Sequence, residues 1–422
     1  MVDALSGAPG VGGDDPVRPG SSWAGGGRLL ELIRSERANT RRELQTVTGL
    51  SRSTITARVD QLVEAGYLRE SGVEHGSRGR PSTVLAFDES FGIVLAADLG
   101  ATHARVAICD AAGRVLVEDS RNLRINKGPE VVLGWLEESW AQLLRSNGLS
   151  RDRVVGLGTG VPGPVDVATG RPVRPPIMPG WHDYPVRERL EQVFGVPGFV
   201  ENDANAMAFG EFHAGLSQCP SLLFVKVATG IGAGMVIAGR LLRGVHGGSG
   251  DIGHVRLADP YSEPLCACGA RGCLAASASG GAIARRLREL GKKATTSRAA
   301  AKLAQTGDPD AVAFVREAGL LLGEVLATAV SLLNPQVLMI GGDPMRAQEH
   351  FMVAVRERLF QRTQPLATRD LQIRTSTLGD RAGVIGAAHL VLDEVLSAES
   401  VDRRLAGLPH DRADQVPVRG RT

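Results

Sequence analysis

At 422 residues the chain exceeds one ordinary domain, so two or three folded units are expected. Forty-eight basic against 46 acidic residues leave a formal charge of +2, which excludes a global polycation and confines any nucleic-acid surface to a patch. With 22% charged and 43% hydrophobic residues the composition is that of a globular protein, and no apolar run approaches the roughly 18 residues of a membrane-spanning helix.

The stretch 1–27 is rich in Gly, Pro, Ser and Asp and reads as a disordered leader. It has neither a basic n-region nor an apolar h-region, so a cytoplasmic protein that meets no membrane is expected. A small helical module with a hairpin follows over 28–90. An α/β module occupies 91–396, and 397–422 reads as a solvated tail.

Leu29, Leu30, Leu32 and Ile33 give 28–37 an apolar face at helical spacing. Thr40-Arg-Arg-Glu43 has the form of a capping box, which starts a second helix running to Thr48. Gly49 supplies a turn, and Ser51 caps a third helix that reaches about Ala65, with Gly66 as its left-handed stop. In this third helix Ile55, Val59, Leu62 and Val63 point inward, leaving Arg52, Ser53, Thr54, Thr56 and Arg58 outside. Short hydroxyls and guanidiniums suit phosphates and base edges in a major groove, and the pattern is that of a helix-turn-helix.

Two strands, 67–71 and 81–87, flank a wing whose tip carries Arg78-Gly-Arg80, a pair suited to a narrow minor groove. Six arginines, Arg41 and Arg42 among them, face two glutamates between Arg34 and Arg58. The local charge is therefore 6 − 2 = +4 in a nearly neutral chain.

In the α/β module, Ile93-Val-Leu-Ala-Ala-Asp98-Leu-Gly100 and Leu222-Leu-Phe-Val-Lys-Val227 are buried-strand patterns that run into glycine turns. Two such units about 130 residues apart point to two lobes with a ligand cleft between them. The first turn, with Asp98, Gly100 and Thr102, has the residues to hold a hydrated magnesium ion and a phosphate. The second, with Thr229, Gly230 and Gly232, is another phosphate-loop candidate. Glu201-Asn202-Asp203-Ala-Asn205 follows a short strand and opens a helical stretch. Asn202 and Asp203 suit vicinal hydroxyls, and Asp203 suits the general base of phosphoryl transfer; an ordinary helix cap is the competing explanation.

Three of the five cysteines crowd into Cys266-Ala-Cys268-Gly-Ala-Arg-Gly-Cys273, with His254 twelve residues upstream. Cys3His is a closed tetrahedral zinc set of structural type. With one ring nitrogen on zinc, the other nitrogen of His254 would donate to a ligand. Cys109 and Cys219 are expected to be bystanders.

Together these residues resemble the repressor–ORF–kinase (ROK) family over roughly 28–396. The resemblance rests on Asp98-Leu-Gly-Ala-Thr102, Gly160-Val-Pro-Gly-Pro-Val165, Glu201-Asn-Asp-Ala-Asn205, Thr229-Gly-Ile-Gly-Ala-Gly234, Gly250-Asp-Ile-Gly-His254, the cysteine cluster and Ile340-Gly-Gly342. It implies an α/β fold in which a winged helix-turn-helix precedes a two-lobed, actin-like (ribonuclease-H-like) sugar-binding domain. It also implies a homodimer or homotetramer. By resemblance Asn202, Asp203, Asp251 and His254 are sugar contacts, and His254, Cys266, Cys268 and Cys273 hold structural zinc.

The chain departs from the family's kinases at both phosphate loops, through Ala101, His103 and Ala228. It departs again at two sugar-contacting glutamates, replaced by Asp251 and Ala275. These departures imply degenerate phosphate loops, no ATP or Mg2+ requirement, and Asp203 at the kinase-base position without catalysis. The expected function is a sugar-responsive regulator, in most such proteins a repressor of carbohydrate genes, that acts on a palindromic operator. The alternative is a hexose or amino-sugar kinase with an appended DNA module.

Overall fold

The computed structural model describes residues 25–74, 82–257 and 264–407. It contains two compact units, one holding residues up to Asp88 together with the segment from Ala398, the other holding Glu89–Ser397. The wing tip with Arg78 and Arg80, most of the expected leader, and the chain from 408 lie outside the described residues.

In the first unit, α1 (Gly26–Arg34), α2 (Arg41–Thr48) and α3 (Arg52–Glu64) precede the hairpin of β1 (Leu68–Glu74) and β2 (Ser82–Phe87). The Thr40 hydroxyl accepts from the Glu43 N–H at 3.2 Å, and Glu43 Oε2 accepts from the Thr40 N–H at 3.2 Å, so the capping box is complete. Gly49 ends α2 at φ 70, and the Ser51 hydroxyl caps α3 by accepting from the Thr54 N–H. Ile55, Val59 and Leu62 are buried, but Val63 is 36% exposed. Eight residues beyond Ile55 the helix has turned about 80° past a full repeat, which carries that position to the edge of the apolar stripe.

α1 starts and stops earlier than the apolar spacing predicts. It stops at Arg34 because Glu36 takes a left-handed φ of 56.

The second unit holds two five-stranded sheets of the same design. β3 (Ile93–Leu99), β4 (Ala104–Asp110) and β5 (Val115–Arg121) form an antiparallel meander, extended in parallel by β6 (Val154–Val161) and β9 (Gly198–Asn202). The short strands β7 (Val165–Asp166) and β8 (Arg171–Pro172) pair separately. In the other sheet β10 (Ser221–Val227), β11 (Ile231–Ile237) and β12 (Arg240–Leu241) are the meander, and β13 (Val337–Gly342) and β14 (Gln372–Thr375) add in parallel. Duplication of a three-strand meander with two parallel additions is the ribonuclease-H-like, actin-like arrangement that the family resemblance implies.

α4 (Pro129–Ser146) and α5 (Val186–Phe194) cover the first sheet, with the buried indoles of Trp140 and Trp181 donating to the carbonyls of Ala96 and Ile125. α6 (Asp203–His213) opens directly from β9. α7 (Leu274–Ala278), α8 (Gly280–Glu289), α9 (Ser297–Gln305), α10 (Pro309–Leu333), α11 (Gln348–Arg362) and α12 (Pro365–Thr368) belong to the second half. α13 (Ala382–Val395) lies along α6, backbone to backbone at two glycines: a Cβ on Gly210 would sit 2.3 Å from the Ala382 carbonyl oxygen and one on Gly386 1.7 Å from that of Ala206; on β6, a Cβ on Gly158 would sit 2.4 Å from the Ala387 carbonyl oxygen of the same helix.

The expected solvated tail begins instead with a helix, α14 (Ala398–Leu405), which belongs to the first unit and packs on α1. Its Val401 is fully buried, and Asp402 Oδ1 accepts from the Gly27 N–H at 2.8 Å. This contact also moves the start of α1 back to Gly26. A Cβ on Gly27 would lie 2.1 Å from the Ala398 carbonyl oxygen, so these glycines serve close packing rather than flexibility.

Candidate functional site

On the first unit, Arg52, Ser53 and Thr56 are exposed, and Thr54 and Arg58 are half-buried along the outer face of α3. The hydroxyls of Ser51, Ser53 and Thr54 are linked by hydrogen bonds of 2.8–2.9 Å at the start of this helix. Arg58 donates to Gln61 at 3.0 Å, which holds its guanidinium along the same face. Arg42 is exposed on α2, whereas Arg41 pairs with Asp60 at 2.9 Å and Glu70 at 3.4 Å, bracing α2 against α3 and β1. Arg41 is thereby engaged within the unit, and Arg42 and Arg52 add exposed basic groups to the face.

In the second unit the ends of β3 and β10 meet the start of α6. Asp98 is the penultimate residue of β3 and is 5% exposed, with no hydrogen-bond partner for Oδ1. Asp203 is the first residue of α6, also 5% exposed, and its Oδ2 accepts from the Lys226 ammonium at the end of β10. Burial alone would lower the Lys226 pKa, but the carboxylates of Asp203 and Asp98 outweigh it and the amine stays charged. Burial pushes Asp98 up, against the partial opposition of Lys226 and His103. Lys226 is the one functional residue here that motif reasoning passes over, although a lone charge inside Leu-Leu-Phe-Val-Lys-Val is itself a signal.

Asn202 does what the competing explanation expects of it. Its Oδ1 caps α6 by accepting from the N–H groups of Ala204 at 3.0 Å and Asn205 at 3.2 Å, and its amide donates to the Gly163 carbonyl at 3.1 Å. One amide hydrogen remains for a ligand. Glu201 holds this corner from behind: Oε1 accepts from Asn202 N–H and the Asn205 amide, and Oε2 from Arg243 at 2.6 Å.

The two glycine turns are tight. In the first, Gly100 N–H donates to the His103 carbonyl at 2.8 Å, and the His103 ring lies so close over Gly100 that a Cβ there would be 2.4 Å from it; Thr102 is half-buried beside it. In the second, Ala228 N–H donates to the Gly230 carbonyl, with Thr229 and Gly232 half-buried and Gly230 exposed.

The loop bearing Asp251 and His254 packs on β11 through Gly250 and Gly253, whose Cβ atoms would fall 2.0 and 2.2 Å from the carbonyl oxygens of Ala233 and Ile231. His254 Nδ1 and Asp251 Oδ1 are 2.6 Å apart, and this contact, opposed by burial, raises the His254 pKa. Only Nε2 is left, so in this arrangement the imidazole cannot serve a metal and a sugar hydroxyl together; the residue pattern predicts that it does both.

One ring nitrogen of His254 and the Sγ atoms of Cys266 and Cys268 lie within 4.8 Å of one another, a group able to hold a metal ion. Cys273 Sγ is 3.7 Å from Cys268 Sγ. Tetrahedral zinc with bonds of about 2.3 Å places its thiolates roughly 3.8 Å apart, so the donor set and spacing are compatible with zinc. The Ala270 N–H beside Cys268 holds that thiol below its ordinary pKa, whereas burial pushes Cys273 up to about 12. Cys109 and Cys219 are buried elsewhere.

These arrangements agree with comparisons to known proteins. The ROK family pattern matches residues 94–394, and a winged helix-turn-helix DNA-binding pattern matches residues 27–69. A xylose repressor of Caldicellulosiruptor bescii is 27% identical over 383 residues, which span 87% of this chain and 95% of that protein. A glucokinase of Thermotoga maritima is 32% identical over 318 residues, which span 72% of this chain and 98% of the enzyme. Among solved structures, a ROK family transcriptional regulator homologous to the E. coli MLC protein superposes with a TM-score of 0.76 at 26% identity, covering 91% of this chain and 99% of that one. The chain therefore belongs to the ROK family and carries a winged helix-turn-helix at its amino-terminal end.

Proposed function

We propose that the protein is a sugar-responsive transcriptional regulator, a repressor in the simplest case, that binds a palindromic operator as a homodimer or homotetramer. The observation that carries this reading is the joining of a DNA-reading unit to a ROK domain in one chain, since the kinase relative matches the ROK part without it. Its place of action is the cytoplasm, where operator DNA is found; no described helix is long and apolar enough to cross a membrane.

In this reading α3 enters the major groove with Arg52, Ser53, Thr54, Thr56 and Arg58, and Arg78 and Arg80 reach the minor groove. A sugar or sugar derivative binds beside Asp203, Asp251 and the free amide hydrogen of Asn202, with His254 acting on the sugar through the Asp251 carboxylate that its Nδ1 contacts. His254, Cys266, Cys268 and Cys273 hold a structural zinc ion, which would cross-link the loop that carries the sugar contacts. Asp203 acts as a hydrogen-bond acceptor and not as a base, because its carboxylate is already committed to Lys226. ATP and Mg2+ are not required, and Asp98, Gly100, Thr102, Thr229, Gly230 and Gly232 remain as loop scaffolding.

The test is operator affinity, on a duplex selected from a randomised pool, in the presence of xylose, glucose, N-acetylglucosamine and their phosphates. At least one is expected to change the affinity by about 5- to 150-fold, the range of ordinary allosteric coupling. If none does, the regulatory reading fails. Arg52→Ala is expected to cost about 1–3 kcal/mol of operator binding. Sugar-induced thermal stabilisation should be unchanged in the same variant, and a loss of that stabilisation would place Arg52 in the wrong unit.

A further inference from the structure

In a phosphoryl-transferring site, carboxylates placed like Asp98 and Asp203 would face a divalent cation. Here the Lys226 ammonium donates to Asp203 Oδ2 and lies near enough to Asp98 for its charge to act on both. The lysine and Asp203 side chains are only 13% and 8% exposed. Asp98 Oδ1 is buried and without a hydrogen-bond partner.

The strand register shows how the lysine is accommodated. On β10, Lys226 stands opposite Gly232 of β11 on one side and Gly341 of β13 on the other. Cross-strand neighbours share a face, so neither neighbour brings a side chain against the lysine: a Cβ on Gly341 would already meet the Phe224 ring at 2.8 Å, and one on Gly232 the Ala204 methyl at 3.4 Å. Val225 and Val227 point into the opposite face and are fully buried, which fixes the lysine's direction.

We propose that Lys226 is a built-in counter-ion standing where a divalent cation would otherwise bridge Asp98 and Asp203, so that this site is complete without metal or nucleotide. The Lys226 ammonium already offsets the Asp203 carboxylate it donates to, and burial pushes the Asp98 carboxyl up, so both work against a further cation. Its bearing on sugar binding rests on the regulatory reading above, but the test below reads neither sugar nor DNA.

Thermal unfolding of the full chain is compared in MgCl2 and in NaCl of equal ionic strength, with calorimetric titration of MgCl2. The wild-type protein is expected to show no Mg2+ binding and no Mg2+-specific shift. Lys226→Ala leaves two buried carboxylates without their ammonium, and should melt lower in NaCl and regain about 4 °C in saturating Mg2+. Asp203→Asn added to Lys226→Ala should abolish that recovery. The proposal is overturned if wild type and Lys226→Ala respond alike to Mg2+. It is equally overturned if Lys226→Ala gains no Mg2+ response, including failure to fold in both salts, or if the double variant keeps the recovery.

Discussion

With zinc held as proposed, a chelator is expected to unmask three thiols per chain, those of Cys266, Cys268 and Cys273, to a chromogenic disulfide reagent. Cys109 is fully buried with its thiol pushed up to about 12, and Cys219 is buried, so both should stay silent. Backbone hydrogen bonds such as Leu257 N–H to the Gly272 carbonyl and Cys266 N–H to that of Ala270 pin the cysteine-bearing segment, but its apolar packing is slight. Its local apolar cluster consists of Cys266, Cys273 and Ala276 with Ala270 against them, so two of its three buried members are themselves candidate ligands. Structural zinc contributes about 10–16 kcal/mol of apparent binding free energy in small zinc modules, and its loss here should collapse the loop that presents Asp251 and His254. Cys268→Ser should behave as the chelated protein does, losing both the metal by elemental analysis and the sugar-induced thermal shift. Retention of stoichiometric zinc in Cys268→Ser, or exposure of a different number of thiols, would show that the ligand set is wrong.

Gly386→Ala is expected to destabilise the second unit by about 3 kcal/mol or more, lowering its melting temperature by roughly 5 °C. Its added methyl would sit 1.7 Å from the Ala206 carbonyl oxygen and 3.0 Å from the Gly210 nitrogen, both backbone atoms of α6 that no rotamer change can move aside. The helices must separate, and α6 carries Asp203 at its first residue. Gly134→Ala is the matched control. Gly134 lies in α4, and its Cβ would meet only the end of Arg189 at 4.0 Å, so the better helix former should stabilise by about 0.5–1 kcal/mol. Equal melting temperatures for the two variants in calorimetry would contradict the glycine-mediated contact of α6 and α13.

What the sequence makes legible is what is local or stereotyped. The capping box of Thr40 and Glu43 is satisfied within four residues, so its pattern needs no tertiary knowledge. The same holds for the alternation of buried strands with glycine turns at Asp98–Gly100 and Val227–Gly230. The metal group is legible because three cysteines in eight residues have few other uses.

Illegible features depend on partners far away in the chain. Gly26 and Gly27 look like linker residues, and it takes Leu405 against the first and Ala398 and Asp402 against the second to explain them. Val63 carries the hydrophobicity of a core residue but sits at the edge of its stripe. Asn202 could contact a ligand or cap α6, and the position of the Ala204 and Asn205 N–H groups decides that capping comes first. Arg41 reads as part of a basic patch until Asp60 and Glu70 are seen across from it. Lys226 is visible in the sequence, yet its meaning requires knowing that Asp98 and Asp203, some 105 residues apart, converge on it.

The packing of α14 on α1 orders events during synthesis. The polypeptide emerges from the ribosome amino end first, so the three helices and hairpin that read DNA appear early but lack their last wall. That wall arrives only when residues 398–405 are released, after everything that forms the two sheets has already been made. A prematurely terminated product would therefore carry an incomplete DNA-reading unit, and nascent chains would be kept from occupying operators before the domain that governs them exists.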